Sequence, residues 1–144
     1  MQKCLLTFAV LVLAMGVSHA ASNPFVGTWK TNPAQSNYVE LNDSLIITSP
    51  AEGELRWEYP SIQFEMQGKP DGSEMKLSYP HKPDGLAESV IMLTARKLRY
   101  EVRINGTLVE HGTDEISADG QTMTAVSEVV GKESAKRVEV FHRQ

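Results

Sequence analysis

The sequence predicts an all-β chain, folded as an antiparallel up-and-down β-barrel of about 8–10 strands. Three observations carry this. Apolar and polar residues alternate in short runs, so each run has one face to bury and one to wet. Turn residues interrupt those runs every eight to twelve positions or so, the spacing of barrels and sandwiches. No stretch shows a long 3.6-residue apolar period, so no long helix is expected.

Taken in order, the runs place strands near 25–31, 43–49, 54–59, 62–67, 74–79, 88–96, 98–105, 107–117, 121–130 and 135–143. Leu98-Arg99-Tyr100-Glu101-Val102-Arg103-Ile104 alternates without a break, and Glu54 to Tyr59 and Ile62 to Gln67 do the same. Asn105-Gly106 is a two-residue hairpin signal, because that turn needs positive φ at both positions. Asp119-Gly120 marks a second hairpin. Lys69-Pro70-Asp71-Gly72 and Lys82-Pro83-Asp84-Gly85 share the turn order Pro-Asp-Gly. One short helical turn is expected around Pro33 to Asn37. A meander this long must protect its edges, and closing into a barrel does so.

The turns also predict a register. With a two-residue loop at Asn105-Gly106, Val102 faces Val109 and Tyr100 faces His111. With three residues at Ala118 to Gly120, Thr113 faces Ala125, His111 faces Ser127 and Glu115 faces Met123. With four at Gly131 to Ser134, Ser127 faces Val138, Ala125 faces Val140 and Met123 faces His142. This expectation points Tyr100, His111, Thr113 and Ser127 inward, with Glu115 and His142 nearer one end. It also sets Glu128 beside Arg137 on the outer face. A slip of one residue in any loop reverses these faces. Alternation turns Trp57, Tyr59, Phe64 and Tyr79 inward as well.

Composition narrows the class. Of the 144 residues, 41% are hydrophobic and 22% charged, as in a globular domain and unlike a disordered tail. The net charge of −4 argues against a nucleic-acid binder that works by neutralising phosphates. Residues 1–20 read as a secretory signal peptide: Lys3 gives a positive start, Leu5 to Val17 an apolar run, and Ser18-His19-Ala20 a small-residue cleavage site. The run is too short to span a bilayer. Cys4 precedes the apolar run, which argues against lipid anchoring. Cleavage after Ala20 leaves a domain of 124 residues, 21–144, without Lys3 and without any cysteine. Its stability then rests on a packed core.

Gly27-Thr28-Trp29 opens the first strand. A Gly-x-Trp there, followed by a meander, resembles the calycin superfamily of lipocalins, fatty-acid-binding proteins and avidins. Phe25 to Tyr38, together with Ser117 to Thr124 and the ending Val140-Phe141-His142-Arg143-Gln144, is similar to small secreted bacterial lipocalin-like proteins, mostly uncharacterised. The resemblance implies a structural motif of Gly27, Trp29 and a basic residue over the Trp ring, either Arg143 or Arg137. It also implies an exported protein, periplasmic or secreted. The chain is shorter than a typical lipocalin and lacks its C-terminal helix and disulfide.

The chemistry-bearing residues are few. His81, His111 and His142 share no metal-ligand spacing, and there is no Gly-x-Ser-x-Gly elbow, phosphate loop or cysteine nucleophile. No catalytic residue, cofactor or metal is therefore expected. The leading expectation is non-covalent binding of a small apolar or amphipathic ligand in the barrel, oriented by Tyr100, His111, Thr113, Ser127, Glu115 and His142. The alternatives are an envelope interaction or inhibitor module with a filled barrel and an unnamed protein partner, and an enzyme using interior His111 or His142.

Overall fold

The computed structural model describes residues 22–132 and 134–144. The signal-peptide reading falls on residues 1–20, outside the described residues. Eleven antiparallel strands form one sheet: β1 (Gly27–Thr31), β2 (Ser44–Thr48), β3 (Leu55–Tyr59), β4 (Phe64–Gly68), β5 (Asp71–Glu74), β6 (Lys76–Ser78), β7 (Leu86–Thr94), β8 (Lys97–Ile104), β9 (Thr107–Ile116), β10 (Thr122–Val129) and β11 (Arg137–Arg143). The sheet order is β5-β7-β8-β9-β10-β11-β1-β2-β3-β4-β6. Its two edge strands, β5 and β6, follow one another in the chain. Residues 71–78 thus pair with β7 through their first half and with β4 through their second, which nearly closes the barrel. Counted as walls, β5 and β6 are one kinked strand, and the expected meander stands.

Two local expectations change. Pro70-Asp71-Gly72 does not form a free turn. Asp71 accepts hydrogen bonds from the Ser73 amide and hydroxyl, and the ladder to β7 shifts register between Asp71 and Glu74. The Pro-Asp-Gly signal therefore encodes an irregularity inside a strand. The expected helical turn near Pro33 is a run of turns, and the one short 3₁₀ segment among the described residues lies at Pro60–Ile62 instead.

Both ends of the barrel follow from strand direction and burial. At one end Phe25, Trp29, Ile47, Leu55, Leu98, Ile116 and Met123 are almost wholly buried and make an apolar floor. Trp29 is held there from three sides. Its Nε1 donates to the Phe25 carbonyl at 2.9 Å. The Arg143 guanidinium lies 4.2 Å from its ring centre and donates to the carbonyls of Val26 (2.7 Å), Pro24 (2.6 Å) and Gly120 (2.7 Å). Gly27 leaves the room this needs, since a Cβ there would collide with the guanidinium. The Gly-x-Trp pattern thus has a structural cause, and Arg143, not Arg137, covers the ring.

Candidate functional site

A cavity of about 370 Å³ occupies the barrel between the apolar floor and the far end. Its apolar wall comes from alternate residues of several strands, among them Trp57 on β3, Met66 on β4, Val90 on β7, Leu98 on β8, Met123 on β10 and Phe141 on β11. Period-two alternation, with the apolar set turned in, is what places them there. Tyr59, Phe64 and Tyr79 add aromatic surface, with Phe64 packed 6.1 Å from Tyr59 and 5.4 Å from Tyr79. Ile62 lines the cavity and is 43% exposed, so the space reaches the surface beside the 3₁₀ segment.

The polar lining is mostly acidic. Glu40, Glu88, Glu110, Asp114 and Glu139 face the cavity, against a single cation, Arg137. Two of the acids are engaged. Glu110 accepts from Arg137 at 3.3 Å and from the Tyr100 hydroxyl at 3.4 Å. Glu139 accepts from the Thr31 hydroxyl at 2.9 Å. Arg137 also stacks over Tyr38 at 4.5 Å. Asp114 differs: its Oδ1 is fully buried and has no hydrogen-bond partner. Burial, with the charge of Glu139 beside it, lifts the Asp114 carboxyl to about 7. Burial likewise lifts Glu88 to about 7, helped by Glu40 and Glu110. Glu40 and Glu139 are also raised, chiefly by burial.

Two of the six residues expected to line the wall do so, Tyr100 and Ser127. His111, Thr113, Glu115 and His142 do not, and their inward placement is corrected. For the three on β9 the cause is one residue. Ile104 pairs with Thr107, as the Asn105-Gly106 turn predicts, but Val102 then pairs with Glu110 and Tyr100 with Gly112. The register shift leaves Val109 as an extra residue, and a bulge of this kind reverses the faces of the rest of β9. Glu110, Gly112 and Asp114 turn in, and their neighbours turn out.

The turn after β9 spans four residues, Ala118 to Gln121, not the expected three, so Ala125 pairs with Asp114 and Met123 with Ile116. This second one-residue shift offsets the bulge and keeps the expected inward face of β10, and a third follows at the loop after β10. Ser127 pairs with Arg137, Ala125 with Glu139 and Met123 with Phe141. Arg137 and Glu139 therefore face the cavity, and Val138 and Val140 face outward. Glu128 pairs with Lys136 at 2.8 Å, not with Arg137. His111 lies between Glu101 and Glu128 on the outer face. Glu115 pairs with Lys97 at 2.9 Å, and with Thr113 borders an outer surface depression. His142 contacts Asn32 at 3.0 Å and Gln35 at 2.9 Å, fixing the turn after β1. His142 and Glu115 do not meet.

The acids on β9 and β11 were missed because each sits beside a residue expected to point in, and Glu88 was missed because no face was assigned to β7. A signal for the bulge would have found those on β9. Gly112 in the middle of a long strand is such a signal, since an interior glycine marks a bulge or a close approach. Among the described residues no group of His, Cys, Asp and Glu is arranged to hold a metal, and no helix is long and apolar enough to cross a membrane. No protein-family model matches the chain, and no curated protein matches it.

Proposed function

We propose that this chain binds a small amphipathic molecule non-covalently inside its barrel. One observation carries the reading: the interior is not filled. At about 370 Å³ the cavity lies in the lower part of the range of small-molecule sites, roughly 300–1,000 Å³. It combines an apolar, aromatic wall with a few convergent polar groups, as such sites do. A filled barrel acting only through its loops is the weaker reading for the same reason. Chemistry through His111 or His142 has no support from the site, because neither side chain lines it. We further propose that the chain belongs with the small lipocalin-like proteins of the calycin superfamily and is exported after cleavage near Ala20. The Gly27–Trp29–Arg143 cluster and the barrel support the first, and the apolar leader supports the second.

The test is a titration with N-phenyl-1-naphthylamine, a neutral apolar fluorophore. One saturable site with enhanced emission is expected. The Ala125→Trp variant, which fills the cavity from β10, abolishes it. Equal binding by wild type and Ala125→Trp places the site elsewhere and defeats the reading.

A further inference from the structure

We propose that the ligand is a cation: an amphipathic amine whose ammonium sits against the acidic wall that carries Glu88, Glu110 and Asp114, with its apolar body against Trp57 and Leu98. This rests on the ligand-binding reading above and adds the chemical class.

Three independent observations point the same way. The first is charge. Among the described residues, five carboxylates and one guanidinium face the same cavity, and that guanidinium is already committed to Glu110 and to the Tyr38 ring. An anionic ligand would find no free cation there. The second is the Asp114 Oδ1, buried, unpartnered and on the cavity wall. An isolated buried acceptor costs roughly 1–3 kcal/mol, and more when charged, so it is a position that a donor should fill.

The third is placement. Glu88 on β7 and Glu110 on β9 flank Val102 at one level of the sheet, and Asp114 on β9 and Glu139 on β11 flank Ala125 at another. Each pair is separated by two strand spacings, about 10 Å. That is a backbone spacing, and the side chains that extend from it share one stretch of wall, where an ammonium with its three donors engages the nearest acceptors. The aromatic side chains Tyr59, Phe64 and Tyr79 also line the cavity, and aromatic rings favour a cation.

The pH dependence follows from the groups that face the site. These are Tyr38 and Glu40 before β2, Tyr59 on β3, Tyr79 after β6, Glu88 on β7, Tyr100 on β8, Glu110 and Asp114 on β9, and Arg137 and Glu139 on β11. No histidine is among them. Empty and buried, Glu88 and Asp114 hold protons up to about pH 7. An ammonium stabilises their ionised forms, so binding displaces protons and tightens as pH rises.

The experiment compares three molecules of one shape by calorimetry at pH 5.5 and 8.5: 3-phenylpropylamine, 3-phenylpropanol and 3-phenylpropionate. The amine should bind about tenfold or more tightly than the alcohol at pH 8.5, with a smaller advantage at pH 5.5. The propionate should be bound most weakly. Glu88→Gln with Asp114→Asn should lower amine affinity about tenfold and change alcohol affinity less than about twofold. Near-UV circular dichroism checks the fold of that variant, and the wild-type series stands without it. An alcohol or propionate bound as tightly as the amine overturns the cationic assignment. So does failure of all three while N-phenyl-1-naphthylamine still binds inside the barrel, which leaves the broader reading intact. If that fluorophore also fails, both readings fall.

Discussion

Tyr100 on β8 stands directly opposite Gly112 on β9, and its ring occupies the space that a side chain at 112 would need. A Cβ on Gly112 would lie 2.5 Å from the Val126 carbonyl oxygen and 2.6 Å from the ring. The glycine is what lets Tyr100 lie flat along the wall and present its hydroxyl to Glu110. Cross-strand aromatic cover of a glycine is a recognised way to pin register.

Gly112→Ala should therefore destabilise the barrel by about 1–3 kcal/mol, as overpacking does at a tight contact. Urea denaturation followed by Trp fluorescence measures it. No loss of stability would mean that the ring moves freely and that the pairing does not fix the wall.

The same pair explains how far the sequence could be read. Ten strand positions were legible, because alternation and turn chemistry act locally. The inward set of β10, Met123, Ala125 and Ser127, was legible too. The faces of β9 and β11 were not, because face depends on register. Register turns on Val109 and on the lengths of the loops before and after β10, and the longer loop before β10 cancels the bulge. A single extra residue costs little and leaves no change in the apolar pattern around it. Val109, Val138 and Val140 are apolar and looked like inward residues. Glu110, Asp114, Arg137 and Glu139 are charged and looked like outward ones. Here the burial preference of isolated residues is overruled by the ladder, and the overruled positions are those that line the cavity.

Stability should fall as pH rises from about 4 to about 7. Glu88 and Asp114 have ordinary values of 4.5 and 3.8, and burial raises both to about 7 in the folded chain. Between those limits the folded state holds more protons than the unfolded state. The contribution to stability is thus complete below the ordinary values and is lost as pH rises through 7. The slope should be on the order of 1 kcal/mol per pH unit for each group that titrates. Thermal melts across this range measure it, and Glu88→Gln should flatten the curve and raise stability at pH 8. A profile that rises over the same window would contradict the buried, unpaired state of these acids.

Arg143→Lys should behave almost like Arg143→Ala. The guanidinium makes three separate hydrogen bonds while covering Trp29, and an ammonium cannot reproduce that planar set. Either change should cost about 2–4 kcal/mol, with loss of the near-UV signal of the buried Trp29. A lysine variant as stable as wild type would reduce the cluster to simple charge.

His111→Ala should leave N-phenyl-1-naphthylamine binding unchanged, because His111 lies on the outer face between Glu101 and Glu128. Trp57→Phe should remove most of the ligand-induced change in protein fluorescence, since Trp57 lines the cavity and Trp29 does not. A binding defect in His111→Ala would restore the register without the bulge.

The central claim is that the barrel interior is the binding site, and methyl NMR during titration with 3-phenylpropylamine tests it most directly. Ala125, Val90, Leu98, Met66 and Met123 line the cavity and Val138 and Val140 do not. Saturable shifts are expected at the first five, with the two valines on the outer face of β11 unmoved. Shifts confined to loop or outer-face methyls, with the interior five unchanged at saturation, would contradict it.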